Sequence, residues 1–223
     1  MQSVNTQQTT KPDSLTLNNK TILITGAAGF IGSNLVEYFA THHKDCKILA
    51  LDYFRDSKTF PNGNPTTLGH FKNLSLYPNV EVLSLDIANE KELKSLQRDY
   101  GKIDYILHEA AVSDTTCKAL IKLAMKHEAH IIYASSAAVY GNTEIPNSVG
   151  TNEIPENIYG FSKLCMDKEN VRLQKSLQEK GIGLIGLRYF NVYGRYEFYK
   201  YKTSSMILQL SLQALNDRVV KLF

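Results

Sequence analysis

Thr21-Ile22-Leu23-Ile24-Thr25-Gly26-Ala27-Ala28-Gly29-Phe30-Ile31-Gly32 joins a β-rich apolar run to a glycine-rich turn and the opening of a helix. Glycines at the first and fourth positions of the turn permit a tight reversal and close backbone approach, and Gly32 lets the helix lie against a sheet. Unpaired amides at such a helix start face a pyrophosphate. A glycine turn without a ligand is the plainer reading of the triplet alone. The strand before it, the helix after it and Asp52 at the end of the next β-rich run together favour dinucleotide binding.

The pattern continues outward from this unit. Lys47-Ile48-Leu49-Ala50-Leu51, Val80-Glu81-Val82-Leu83-Ser84-Leu85, Tyr105-Ile106-Leu107-His108, Ile131-Ile132-Tyr133-Ala134 and Gly183-Leu184-Ile185-Gly186-Leu187-Arg188 are further short β-rich runs. Between them, Ile31, Leu35, Tyr38 and Phe39 recur at helical spacing, as do Leu93, Leu96 and Tyr100, and then Leu120, Leu123 and Ala124. Near-continuous apolar strands separated by helices predict an α/β fold with a doubly wound parallel sheet buried on both faces. Residues 54–77, broken by Pro61, Gly63, Pro65 and Gly69, predict a long loop.

Composition narrows the class. The 223 residues are 43% hydrophobic and 21% charged with a formal charge of +3, ordinary for a globular protein and too little charge to argue for nucleic acid. Cys46, Cys117 and Cys165 are scattered and odd in number, which supports neither a disulfide framework nor a zinc site, so no metal is expected and a reducing cytoplasm fits best. Residues 1–17, rich in Gln, Thr, Asn and Ser, read as a disordered tail. No apolar run approaches the roughly 20 residues that span a bilayer.

Candidate chemistry lies in Asn157-Ile158-Tyr159-Gly160-Phe161-Ser162-Lys163, where Tyr159 and Lys163 share a helix face. A phenol titrates near pH ~10 in water, so a tyrosine base at neutral pH needs a neighbouring cation. Upstream, Tyr133-Ala134-Ser135-Ser136-Ala137-Ala138-Val139-Tyr140-Gly141 closes the fifth strand at the carboxyl edge, where ligands of open α/β sheets bind. A serine pair there is otherwise a common helix cap. Asp52 would bond a ribose hydroxyl and argues for NAD, whereas Arg55 and Lys58 would admit the 2′-phosphate of NADP or are simply solvated.

The glycine spacing and Asp86-Ile87 after the third strand resemble the extended short-chain dehydrogenase/reductase superfamily. His108-Glu109-Ala110-Ala111-Val112-Ser113-Asp114-Thr115-Thr116, Arg188-Tyr189-Phe190-Asn191-Val192-Tyr193-Gly194, Lys200 and Thr203-Ser204-Ser205-Met206 more specifically resemble the ADP-L-glycero-D-manno-heptose 6-epimerase family. That family makes the heptose precursor of bacterial lipopolysaccharide. The resemblance runs from Lys20 to Phe223 and implies a Rossmann domain over 18–195, with 196–223 opening an incomplete C-terminal substrate domain. It implies Ser136, Tyr159, Lys163 and Lys200 as catalytic residues, Lys200 serving the face opposite Tyr159. It further implies that Gly26, Gly29, Phe30, Ile31, Gly32, Asp52, Tyr53, Lys58, Asp86, Ile87, Glu109, Ala110, Ala111, Val112, Ser113, Tyr159, Lys163 and Val192 meet the cofactor. Ser113, Ser136, Asn191, Lys202, Gln209 and Phe223 would meet the substrate. The implied cofactor is NADP, with NAD the alternative. The implied substrate is ADP-heptose or a related nucleotide sugar, and the assembly a homo-oligomer.

Plainer assignments stand beside several of these. Asp86 caps the helix beginning near Asn89, His108 and Glu109 are strand-end residues, and Lys200 is a surface loop lysine. The chain also departs from the family. The crossover 117–130 is shorter and carries no counterpart of a cofactor-facing asparagine, and Arg195-Tyr196 stands where the family has Pro-Arg. Val219-Val220-Lys221-Leu222-Phe223 looks like an approach to a further strand, and the family continues beyond it with much of the sugar pocket. Two other functions follow from these features. One is a sugar-nucleotide dehydratase or 4-epimerase, although Ala137-Ala138 supplies none of the acid a dehydratase adds beside its serine. The other is a non-catalytic dinucleotide-binding protein.

Overall fold

The computed structural model describes residues 16–54, 74–110, 114–143, 147–198, 200 and 204–221. Its six strands, β1 Thr21–Thr25, β2 Lys47–Asp52, β3 Val80–Ser84, β4 Tyr105–His108, β5 His130–Ser136 and β6 Leu184–Tyr189, are all parallel in the order β3-β2-β1-β4-β5-β6. The order reverses between β1 and β4, the topological switch point at which a ligand crevice opens.

Strand alternation divides the core between the two faces. Ile22 and Ile24 of β1, Ile48 and Ala50 of β2 and Leu107 of β4 pack with Val36 and Ala40 of α1 (Phe30–His42). Leu23, Leu49, Leu51, Ile106 and Ile131 point the other way. There they meet Leu93 and Leu96 of α2 (Glu90–Tyr100), Leu120 and Leu123 of α3 (Asp114–His127), and Met166 and Leu177 of α4 (Ile158–Gln178). α1 buries Phe30, Ser33, Val36 and Ala40, whereas Tyr38 lies exposed, so its inward stripe differs from the apolar spacing in the sequence. Small residues Gly32, Ser33 and Ala40 bring the helix close, a contact that hydrophobic periodicity does not register.

One expected boundary shifts. Leu17, assigned to the tail, is only 5% exposed and packs in the α1-side core, held by a turn in which Lys20 N donates to Leu17 O at 3.0 Å. Residues 1–15 and most of the loop predicted over 54–77 lie outside the described residues. The last helix, α5 (Met206–Asp217), has no buried residue, and 219–221 run without regular structure. At the sheet edge, β6 leaves Ile185 and Leu187 exposed on the face opposite Leu184.

α4 is fastened to β5 and β6 by charge as well as by packing. Asp167 accepts from Tyr133 Oη at 3.1 Å, Ser135 Oγ at 2.9 Å and Arg188 Nε at 2.9 Å. Arg188 Nη2 also donates to Glu153 Oε1 at 2.6 Å, and its guanidinium lies 4.9 Å from the Tyr140 ring centroid. Gly186, the register partner of Tyr133, leaves room for the ring, because a Cβ there would strike it. Removing one member of such a buried pair strands the other. Asp167→Ala is expected to cost about 3 kcal/mol of unfolding free energy in urea denaturation. A loss below about 1 kcal/mol would show that the network contributes little.

Candidate active site

The carboxyl ends of β1, β2, β4, β5 and β6 gather the residues singled out in the sequence. Gly26, directly after β1, has φ +68°, and a Cβ there would lie 2.7 Å from Ala110 N. The glycine turn, the expected phosphate loop, therefore lies against the backbone that leaves β4. Gly32 is constrained from the other side, since a Cβ would collide with Gly26 O. α1 begins at Phe30 from Gly29 with no side-chain cap and no acidic residue in its first turn. That end is left electropositive and open to an anion.

Asp52 ends β2, where its carboxylate accepts from Ala28 N at 2.9 Å and Tyr53 N at 2.7 Å. Burial pushes its carboxyl up, opposed by hydrogen bonds from the Ala28 and Phe54 amides. Asp52 thus braces the phosphate loop at the position where a ribose would arrive. Beyond β3, Asp86 Oδ1 accepts from Ala88 N at 2.9 Å, and the start of α2 is capped by Asn89, whose Oδ1 accepts from Lys91 N at 3.1 Å. The cap thus falls to Asn89, with Asp86 in the turn before it. Ile87, assigned to the cofactor, places its side chain in the core.

β4 ends in buried His108, followed by the half-buried Glu109. His108 Nδ1 lies 2.7 Å from Thr25 Oγ1, and burial, aided by Lys163, lowers its pKa to about 3, so it is neutral at physiological pH. Burial raises the Glu109 carboxyl, against the opposing pull of Tyr189 and Lys163. Tyr189 Oη donates to Glu109 Oε1 at 3.2 Å, and Glu109 Oε2 is buried without a hydrogen-bond partner among the described residues. The sequence offered no signal for the Glu109–Tyr189 pair, because 80 positions separate the two residues.

The Tyr159–Lys163 pair sits at the start of α4, whose N-cap Asn157 accepts from Gly160 N at 2.8 Å. Lys163 is buried, whereas Tyr159 is 51% exposed. Lys163 Nζ donates to Ala134 O of β5 at 2.9 Å and stands 6.0 Å from the Tyr159 ring centroid. Ser136 closes β5, and its Oγ accepts from Ala138 N at 3.1 Å, capping a single 3₁₀ turn over Ala137–Val139. That bond uses a lone pair and leaves the hydroxyl proton available to a substrate oxygen. Gly160 is the residue that lets helix and turn meet, because a Cβ there would run into Ala138 O.

The remaining expectations divide. Asn191 and Val192 are exposed just past β6. Lys200 Nζ stands 5.5 Å from the ring centroid of Phe30, at the start of α1. Gln209 lies on α5, where its Nε2 donates to Ser204 O at 2.7 Å. Lys58, Ala111, Val112, Ser113, Lys202 and Phe223 lie outside the described residues. Among the described residues, no helix is long and apolar enough to cross a membrane.

Comparison with known proteins matches the same architecture. Residues 22–223 match the model of the NAD dependent epimerase/dehydratase family. Among solved structures, the chain is similar to ADP-L-glycero-D-manno-heptose-6-epimerase of Helicobacter pylori, at 46% identity and TM-score 0.78 over 92% of this chain and 66% of that one. UDP-glucuronic acid 4-epimerase of Bacillus cereus, solved with NAD, is 26% identical, with TM-score 0.73 over 91% of this chain and 66% of that one. dTDP-glucose 4,6-dehydratase of Bacillus anthracis shares the fold at 24% identity, with TM-score 0.72 over 89% of this chain and 62% of that one. The chain thus spans about two thirds of the length of these solved relatives. By the family model and by the sheet that carries these residues, it belongs to the NAD dependent epimerase/dehydratase family.

Proposed function

We propose that this protein is a nucleotide-sugar epimerase that inverts C6 of ADP-glycero-manno-heptose by transient oxidation and re-reduction. The observation that carries it is the seating of the start of α4, with Tyr159 and Lys163, on the end of β5 that carries Ser136, through Lys163 Nζ on Ala134 O and Gly160 against Ala138 O. The 46% identity to the H. pylori enzyme supports this substrate over other nucleotide sugars. Gly26 packed on Ala110, the uncapped start of α1 and the braced Asp52 carboxylate fit a nicotinamide dinucleotide. NADP is the proposed form, with NAD the alternative.

The nicotinamide, when bound, supplies the acceptor and donor of hydride. This chain's residues handle the proton. Ser136 holds the reacting oxygen of the sugar through its hydroxyl, and Tyr159 takes the proton from that oxygen as the carbon is oxidised. The buried Lys163 ammonium, anchored on Ala134 O, stabilises the phenolate that accepts it. Inversion requires a second group that serves the opposite face of the carbonyl, and Lys200 is proposed for it. Its Nζ stands 5.5 Å from the Phe30 ring centroid, at the start of α1. The lipopolysaccharide precursor as product, a cytoplasmic location, a homo-oligomeric assembly and a substrate domain that opens at residue 196 belong to the same proposal.

Incubating the cofactor-loaded chain with one C6 epimer of ADP-heptose and following the other by NMR tests the reaction. Interconversion is expected, with Tyr159→Phe lowering kcat by about 10²–10⁴ while cofactor binding persists. No interconversion, or turnover of UDP- or dTDP-hexoses in its place, would refute the assignment. Gly26→Ala, which forces a left-handed backbone and a collision with Ala110, is expected to weaken NADP binding by at least about tenfold in calorimetry. Unchanged affinity would remove the phosphate loop from the cofactor site.

A further inference from the structure

The chain that leaves Ser136 and the chain that enters α4 touch before Tyr159 is reached. Gly141 has φ +61°, and a Cβ there would collide with Ile154 O. Gly160, directly after Tyr159, would place a Cβ against Ala138 O and 3.0 Å from Pro155 Cβ. Val139 and Tyr140, buried beyond the Ser136 turn, pack on Leu164 of α4, the residue after Lys163. From Pro155 the incoming chain reaches the Asn157 cap, where Gly160 N donates to Asn157 Oδ1 at 2.8 Å and Phe161 N to Asn157 O at 2.9 Å.

Arg188 of β6 holds both chains from the side. Its guanidinium carbon lies 4.9 Å from the ring centroid of Tyr140, on the chain leaving Ser136. Its Nη2 donates at 2.6 Å to Oε1 of Glu153, on the chain entering α4, and the two side chains are only 10% and 13% exposed. The same Glu153 oxygen accepts from Gly150 N at 2.8 Å. Burial raises the Glu153 carboxyl, but the Gly150 amide and Arg188 outweigh it and hold it below the usual carboxylate range, so the pair is ionised at neutral pH. Arg188 also donates to Asp167 through Nε at 2.9 Å, so it keeps a carboxylate partner if Glu153 is removed.

We propose that Glu153 is a positioning residue for the acid/base pair: by bonding the guanidinium that also supports Tyr140, it fixes the first turn of α4, and so the Tyr159 phenol, relative to the Ser136 hydroxyl. The inference rests on the reaction proposed above, in which those two groups meet one sugar oxygen. Glu153 acts on neither group directly, and its effect passes through the short segment that ends at the Asn157 cap. A misplacement on the order of 1 Å between reacting groups costs about 10²-fold in rate.

Amide hydrogen exchange by NMR and steady-state epimerisation of ADP-heptose test this in the full chain carrying Glu153→Ala, Glu153→Gln, or Glu153→Ala with Tyr159→Phe. In Glu153→Ala the Gly160 and Phe161 amides are expected to exchange about tenfold faster, while the amides of residues 173–177, later in α4, stay as they were. Its kcat is expected to fall about tenfold to a hundredfold with KM within about twofold. Glu153→Gln, which keeps an acceptor for Gly150 N and Arg188 Nη2, should recover most of both losses. Adding Glu153→Ala to Tyr159→Phe should lower the residual rate by less than about twofold, because the phenol it positions is gone, whereas a general loosening of the fold would lower both rates alike. Unchanged exchange or unchanged kcat in Glu153→Ala, or the full loss repeated in the Tyr159→Phe background, would overturn the inference while leaving the reaction standing. If the unaltered chain interconverted no epimers, the reaction itself would fall, and this inference with it.

Discussion

Asp167 fastens the helix that carries Tyr159 and Lys163 to two neighbouring strands at once, through Tyr133 and Ser135 of β5 and Arg188 of β6. Tyr133 and Ser135 flank Ala134, whose carbonyl receives the Lys163 ammonium. The same few residues therefore fix the helix, the strand end and the cation. A buried carboxylate with three donors loses its hydration but regains it in hydrogen bonds, which makes its geometry unforgiving. With α4 so held, the exposed Tyr159 ring has a stationary cation 6.0 Å from its centroid.

Close backbone approach is the second constraint, and it is written in glycine. Gly26 meets Ala110, Gly32 meets Gly26, and Gly160 meets Ala138. Each contact draws a loop or helix start to the carboxyl edge of the sheet, where β1, β4 and β5 end side by side. Among the described residues, the unpartnered Glu109 oxygen and the uncapped start of α1 fit the dinucleotide site proposed above.

Much of this was legible in the residues themselves. Six apolar β-rich runs between helical spacings announced the parallel sheet, because strands covered on both faces cannot alternate with polar residues. The glycine loop, Asp52, Ser136 and the Tyr159–Lys163 spacing each carry a local geometry that survives folding. Other features depend on partners remote in sequence. α1 turns Val36 and Ala40 inward instead of Tyr38 because small neighbours let it sit close to the sheet. Leu17 joins the core because β1 and α1 leave it a place, which composition cannot foresee. Likewise the pairs Glu109–Tyr189 and Glu37–Arg195 join residues that no spacing rule connects.

The account turns on a dinucleotide lying across the switch point with its nicotinamide end toward α4. A crystal structure of the chain with NADPH tests this most directly. The prediction is a pyrophosphate against the amides that open α1 and a nicotinamide ribose within hydrogen-bond reach of Tyr159 and Lys163. A dinucleotide bound elsewhere on the molecule, or one whose nicotinamide end points away from α4, would contradict it.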